Sequence, residues 1–136
     1  EEYVRRYGGP DETPLDASEF RAPEGVVLVA KGDGIPVGMG AWRSRSANPL
    51  GLRDGDAEIK RMFVVPEAQR QGIARAVLAE LESIAASAGR SRMVLETGAL
   101  QPEAIALYES SGYRRIPNFG FYSHAEHSQC FAKPIG

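Results

Sequence analysis

The stretch from Ala57 to Ala88 constrains this chain more than any other part. Ala57 to Val65 is rich in β-branched and apolar residues and reads as a strand. Pro66 to Gly72 is a turn full of hydrogen-bond donors. Gly72 to Ala88 then reads as a helix, because Ile73, Val77, Leu81, Ile84 and Ala88 recur at spacings of three and four and form one apolar face. Gly89 stands where a left-handed cap ends such a helix. A helix N-terminus carries unpaired N–H groups and partial positive charge. Gly72 and Ala74 keep bulk away from that end, and Gln69, Arg70, Gln71 and Arg75 add side-chain donors. Together they describe a cradle for an anion, most naturally a pyrophosphate. Gly-Lys-Ser/Thr does not follow, so this is not a Walker loop, and it is not the dinucleotide Gly-x-Gly-x-x-Gly. A plain β–α turn with solvated polar side chains has the same composition.

A second block narrows the reading. Leu95-Glu96-Thr97-Gly98 is followed by Pro102-Glu103-Ala104-Ile105-Ala106-Leu107-Tyr108-Glu109-Ser110-Ser111-Gly112-Tyr113. With Gln69-Arg70-Gln71-Gly72-Ile73-Ala74, it resembles the two signatures of the GCN5-related N-acetyltransferases, in the same order and spacing. The resemblance runs from about Val26 to Lys133 and is sharpest from Glu58 to Tyr113. It implies an α/β fold of that type: an antiparallel meander, then a β-α-β crossover, helices on both faces, and splayed fourth and fifth strands. It also implies that residues 1–136 form one N-acetyltransferase domain, incomplete at its N-terminus.

The rest of the chain fits such a sheet. Glu1 to Tyr7 reads as a short helix stopped by Gly8-Gly9-Pro10, and Asp16 to Phe20 as one helical turn. Val26 to Ala30 reads as a buried strand, Gly32-Asp33-Gly34 as a hairpin turn, and Ile35 to Arg43 as the returning strand. Ser44 to Asp56 reads as a loop in which Arg43, Arg45 and Arg53 face Asp54 and Asp56. The helix then crosses to a strand at Arg92–Glu96, which implies parallel, right-handed pairing. Pro102 suits the first position of a second helix ending at Gly112. Tyr113–Ile116 and Ser128–Lys133 are the last strands, the final one antiparallel, with a loop from Pro117 to His127 between them.

Composition excludes several classes. A net charge of −2 gives no general attraction to nucleic acid or membrane, so any basic site is local. The single Cys130 forbids an internal disulfide and fits a reducing compartment. No apolar run approaches the roughly 20 residues of a membrane span, and no secretory signal is present, so cytoplasm is the expected location. His124-x-x-His127-x-x-Cys130 offers three metal ligands without a fourth, and the expectation is no metal, with the histidines on a loop surface or beside the acceptor.

What the resemblance implies about chemistry is specific. Acetyl-CoA is the cosubstrate. The backbone of Met62, Phe63 and Val64 pairs with pantetheine and the acetyl carbonyl, and Gln69, Arg70, Gln71, Gly72, Ile73, Ala74 and Arg75 surround the phosphates. Gln101 stands where the family often has Asn, and its extra length puts that contact in doubt. Tyr108 takes the place of the acid beside the sulfur, although an amphipathic helix also buries aromatics for packing. Glu58 and Glu96 compete for the base. The first has the spacing to Gly72 found in histone acetyltransferases of the superfamily. The second matches enzymes that acetylate ribosomal-protein N-terminal alanine. Strand alternation puts Glu58, Lys60, Met62 and Val64 on one face, where Glu58 is an exposed edge carboxylate or an ion-pair member. It is the favoured base, because Lys60 and Arg61 keep it ionised.

The function expected is acetyl transfer to a primary amine of a small molecule, amino acid or peptide N-terminus, in a ternary complex. A non-catalytic acetyl-CoA sensor and a nucleotide-phosphate enzyme are the alternatives, the last disfavoured by the missing Lys-Ser/Thr. No nucleic-acid or membrane partner is expected, and a homodimer is left open.

Overall fold

A computed structural model of the chain describes residues 2–7, 20–98, 102–119 and 128–136. Four strands come first: β1 (Glu2–Tyr7), β2 (Gly25–Gly32), β3 (Ile35–Arg45) and β4 (Asp56–Val64), each antiparallel to the one before. Helix α1 (Ile73–Ser87) crosses to β5 (Arg92–Gly98), which lies parallel to β4. Helix α2 (Pro102–Ser110) precedes β6 (Arg114–Ile116) and β7 (Ser128–Pro134). All seven strands share one sheet in the order β1-β2-β3-β4-β5-β7-β6, with β7 antiparallel to both neighbours.

The expected opening helix is a strand instead. Residues 2–7 pair with β2 from Glu2↔Gly32 to Tyr7↔Val27. Six residues make a marginal helix in water, whereas β2 offers a whole edge of backbone partners, so long-range pairing wins. The turn between β2 and β3 forms as read, with Asp33 and Gly34 both at positive φ, as a two-residue type I′ hairpin requires. The expected loop from Ser44 to Asp56 is shorter at both ends, because β3 runs on to Arg45 and β4 starts at Asp56. The remaining elements fall within a residue or two of expectation. The helical turn expected over Asp16 to Phe20 lies, apart from Phe20, outside the described residues, as does the loop from 120 to 127.

Antiparallel pairing lets one face of the sheet bury while the other stays partly open. Val26, Leu28, Trp42, Ala57, Ile59, Met93, Leu95 and Phe131 join Val77, Leu78 and Leu81 of α1 in one core. Tyr108 of α2 belongs to the same core, so both described helices cover this face. Gly40 permits the approach of α1: a Cβ there would lie 2.7 Å from Met62 Sδ and 2.8 Å from Val77 Cγ1. The opposite face carries a smaller cluster of Leu52, Val94, Phe119, Cys130 and Ala132. Tyr113 Oη donates to Glu82 Oε2 at 2.8 Å and Lys133 Nζ to Glu82 Oε1 at 2.9 Å, which ties α1 to β7.

Candidate functional site

The site begins where two strands part. β4 and β5 pair at Asp56↔Arg92, Ala57↔Met93 and Glu58↔Val94. Beyond Glu58 and Val94 each strand runs on without the other, to Val64 and to Gly98. β4 keeps β3 on its far side, and β5 keeps β7. The inner edges, from Ile59 and from Leu95 onward, therefore turn backbone N–H and C=O groups toward a gap. Such an edge is a template for an extended partner.

A bulge shapes the β4 side of the gap. The ladder with β3 passes from Ala41↔Lys60 to Met39↔Phe63, so Arg61 and Met62 together oppose Gly40. Arg61 takes the left-handed conformation, φ 61°, as the extra residue. The shared face expected for Glu58, Lys60, Met62 and Val64 is thereby broken. Glu58 and Lys60 face away from α1, while Met62 and Val64 turn into the α1 core with Ala57 and Ile59. Phe63, opposite Met39, points away from α1 and is 55% exposed.

A 3-10 turn at Pro66–Ala68 follows β4 and delivers the chain to α1. Gln69 Nε2 donates to Val64 O at 3.1 Å, folding the turn back on the strand end. Arg70 and Gly72 are both left-handed, with φ of 67° and 81°. No side chain caps α1, so the N–H groups of Ile73, Ala74 and Arg75 are left for an outside acceptor. A Cβ on Gly72 would meet no protein atom within 4 Å, so its dihedral, not crowding, calls for glycine, and the space in front is open. Ile73 sends its side chain into the core and presents only backbone, while Gln71 is exposed. Arg75 is held by α2, donating to Ser111 Oγ at 3.1 Å and Ser110 Oγ at 3.0 Å. Arg70 lies 3.6 Å from Glu103, both fully in solvent reach. Gln101, His124 and His127 lie outside the described residues.

Tyr108 is buried against Tyr113, edge to face, with ring centroids 5.7 Å apart. Burial pushes its phenol up to about 12. Tyr113 is raised further still, by burial first and then by Glu82.

Both carboxylates look onto the face away from α1, on either side of the gap. Glu58 is the last β4 residue paired with β5, and it is 3% exposed rather than an edge group. Arg43 Nε donates to its Oε1 at 3.1 Å, Arg45 Nη1 donates to the same oxygen, and Lys60 Nζ lies 3.6 Å from Oε2. Lys60 is a partner as expected, whereas Arg61 occupies the bulge. Arg43 and Arg45 escape a reading of the sequence, because only the register Arg43↔Glu58 and Arg45↔Asp56 brings them alongside. Glu96, two residues beyond Val94, accepts from Ser128 Oγ across the β5–β7 ladder. Asp56 does not serve the loop arginines as a charge partner. Its carboxylate takes Arg92 Nε and Nη2, both at 2.8 Å, and the backbone N–H of Arg53 at 2.8 Å.

Cys130 is buried between these groups, and burial above all, with smaller contributions from Glu96 and Glu58, pushes its thiol up to about 11. That is the opposite of a thiolate ligand or nucleophile. Among the described residues, no group of three His, Cys, Asp or Glu side chains is placed to hold a metal ion. No described helix is long and apolar enough to cross a membrane.

Comparison with known proteins agrees with this geometry. The family described as "Acetyltransferase (GNAT) family" matches residues 1–113. An "IAA acetyltransferase" of Azospirillum brasilense is 36% identical over 121 residues, covering 89% of this chain and 75% of the relative. A Klebsiella pneumoniae protein taken for an acyl-CoA N-acyltransferase superposes with a TM-score of 0.84 at 26% identity, over 99% of this chain and 98% of its own. The PaiA N-acetyltransferase of Thermoplasma acidophilum, solved in complex with coenzyme A, shares the fold with a TM-score of 0.67 at 18% identity, over 82% and 61% of the two chains.

Proposed function

Since the chain belongs to the GNAT acetyltransferase family, we propose that it moves an acetyl group from acetyl-CoA directly to a primary amine bound in the same complex. The amine is that of a small molecule, an amino acid or a peptide N-terminus. The observation that carries this reading is the parting of β4 from β5 beside an uncapped helix N-terminus. The open edge of β4 supports backbone pairing of Met62, Phe63 and Val64 with an extended pantetheine arm. The first turn of α1, with Gln69 to Arg75, supports the pyrophosphate through N–H groups, the helix dipole and the open space at Gly72. We read residues 1–136 as one domain, a reading supported by the single sheet, and as cytoplasmic, supported by one buried reduced thiol.

Acetyl-CoA supplies the thioester. The N–C bond forms as the C–S bond breaks, one proton leaves nitrogen for a base, and the sulfur leaves as thiolate or thiol. Much of the rate comes from holding amine and carbonyl together. We assign the base to Glu96. Both oxygens of Glu58 already serve cations, and taking a proton there breaks charge-assisted contacts, whereas Glu96 has a single hydroxyl partner among the described residues. Tyr108 is assigned to the sulfur. With a pKa of about 12, full proton transfer to a thiolate near ~8.5 is uphill by roughly 5 kcal/mol. Tyr108 therefore acts by donating a hydrogen bond to the charge developing on sulfur.

Thiol release from acetyl-CoA across an amine library tests the reading. Acceptor-dependent release is expected. Glu96→Gln should lower it and remove the acidic limb of the pH–rate profile, whereas Glu58→Gln should act mainly on the acceptor's KM. Tight cofactor binding without release for any amine would replace the enzyme with a sensor.

A further inference from the structure

We propose that the acceptor carries a carboxylate beside an apolar body, and that Arg45 and Lys60 hold this carboxylate on the sheet face away from α1. The proposal rests on the acetyl-transfer reading above and names the substrate class of that site.

The first observation is an imbalance of charge. Glu58 is shared by Arg43, Arg45 and Lys60. Among the described residues, the other acids on this face are committed elsewhere: Asp56 to Arg92 and Glu96 to Ser128. Arg45 and Lys60 alone thus outnumber the carboxylate between them, in a partly desolvated place where like charges repel more strongly than in water. The Arg45 and Lys60 side chains keep 28% and 36% of their surface open, so an incoming anion reaches them, while Glu58 beneath is shut off at 4%. Glu58 thus holds Arg45 and Lys60 with their outer N–H groups free to make charge-assisted hydrogen bonds to an anion, which makes it a positioning residue in this proposal.

The second observation is location. Glu58 closes the β4–β5 ladder, so these cations stand where the gap begins. The acetyl carbonyl is expected near that closed end, by the pairing assigned to β4. An amine one or two carbons from a carboxylate would meet carbonyl and cations together. On the same face, further along β4 toward its open end, Phe63 and Met39 form an apolar pair, with Phe63 largely exposed. Cation and apolar surface side by side fit the carboxylate and the side chain of an apolar amino acid.

The test uses matched acceptors differing only at the carboxyl group: phenylalanine against phenylalaninamide, and leucine and methionine against their amides. Thiol release is followed at saturating acetyl-CoA. The wild-type chain should prefer each acid by roughly 10- to 100-fold in kcat/KM, the worth of a charge-assisted hydrogen bond. Amidation lowers the amine's own pKa and leaves more of it neutral, so this preference runs against intrinsic reactivity. Lys60→Met should raise KM for the acids and bring the ratio toward one, and Lys60→Arg should restore it. Arg45→Met should act likewise. Lys60 is the decisive position, because its exposed head can change without burying a lone charge. Equal or better turnover of the amides by the wild type, or an undiminished acid preference in Lys60→Met, overturns the proposal and leaves acetyl transfer standing. Thiol release from neither member of any pair overturns this inference, and acetyl transfer falls with it only if the wider amine library also gives no release with acetyl-CoA bound.

Discussion

Replacing Asp56 by alanine removes the clasp at the point where β4 and β5 still touch. Asp56 is 1% exposed and Arg92 8%. Two N–H groups of Arg92 and the backbone N–H of Arg53 converge on the carboxylate, all at 2.8 Å. Charge-assisted bonds contribute about 1.5–3 kcal/mol each. In Asp56→Ala the guanidinium keeps Gly51 O, at 3.1 Å, as its acceptor among the described residues. An uncompensated buried charge of this kind costs about 3–5 kcal/mol. In urea, with a slope near ~2 kcal/mol/M, the midpoint should fall by about 2 M. The cycle with Arg92→Met isolates the pair. The double variant should cost less than the two single changes added, because neither charge is then stranded. Folded Asp56→Asn should also bind acetyl-CoA more weakly, since the strands lose their fixed point of divergence. A loss under about 1 kcal/mol, or a strictly additive cycle, would refute this reasoning.

Gly40→Ala should destabilise by about 1–3 kcal/mol through overpacking, because its methyl group meets Met62, Val77 and Leu81 at 3.0 Å or less; a thermal melt reads it. Gly72→Ala should lose about 1–2 kcal/mol to left-handed strain yet still bind acetyl-CoA, whereas Gly72→Glu should abolish binding through bulk and like charge; calorimetry on the folded variants separates the two. Tyr108→Phe should lower turnover with cofactor affinity nearly intact. The same variant tests linkage. The folded phenol titrates at about 12 against 10 unfolded, so its stability contribution is complete below pH 10 and is lost as pH rises toward 12. About 3 kcal/mol of alkaline destabilisation should therefore disappear in Tyr108→Phe, read from urea melts at pH 9 and near 12.

The organising strand, turn and helix could be read from sequence because their signals are local: apolar periodicity, a donor-rich turn and a glycine before the first helical residue. The parallel crossover followed from chain order alone. What could not be read depended on register. Nothing near Glu58 in sequence points to Arg43 and Arg45, which arrive only through the β3–β4 ladder. Ser128 reaches Glu96 the same way, across β5 and β7. Residues 2–7 show the converse, since their local preference was outweighed by the edge of β2. Burial of Glu58 was equally hidden, because strand alternation assigns a face but does not say what covers it.

The bulge at Arg61 behaves as a phase shift in an alternating signal. Upstream of it, even-numbered β4 residues, Glu58 and Lys60, look away from α1; downstream, even-numbered Met62 and Val64 look toward α1. One inserted residue thus lets a single strand present charge at one end and a hydrophobic anchor at the other, on opposite sides, without a turn. Deleting Arg61 would let Gly40 oppose Met62 alone, leaving Met62 and Phe63 on their present faces but removing the local bend that the bulge gives to the edge of the gap.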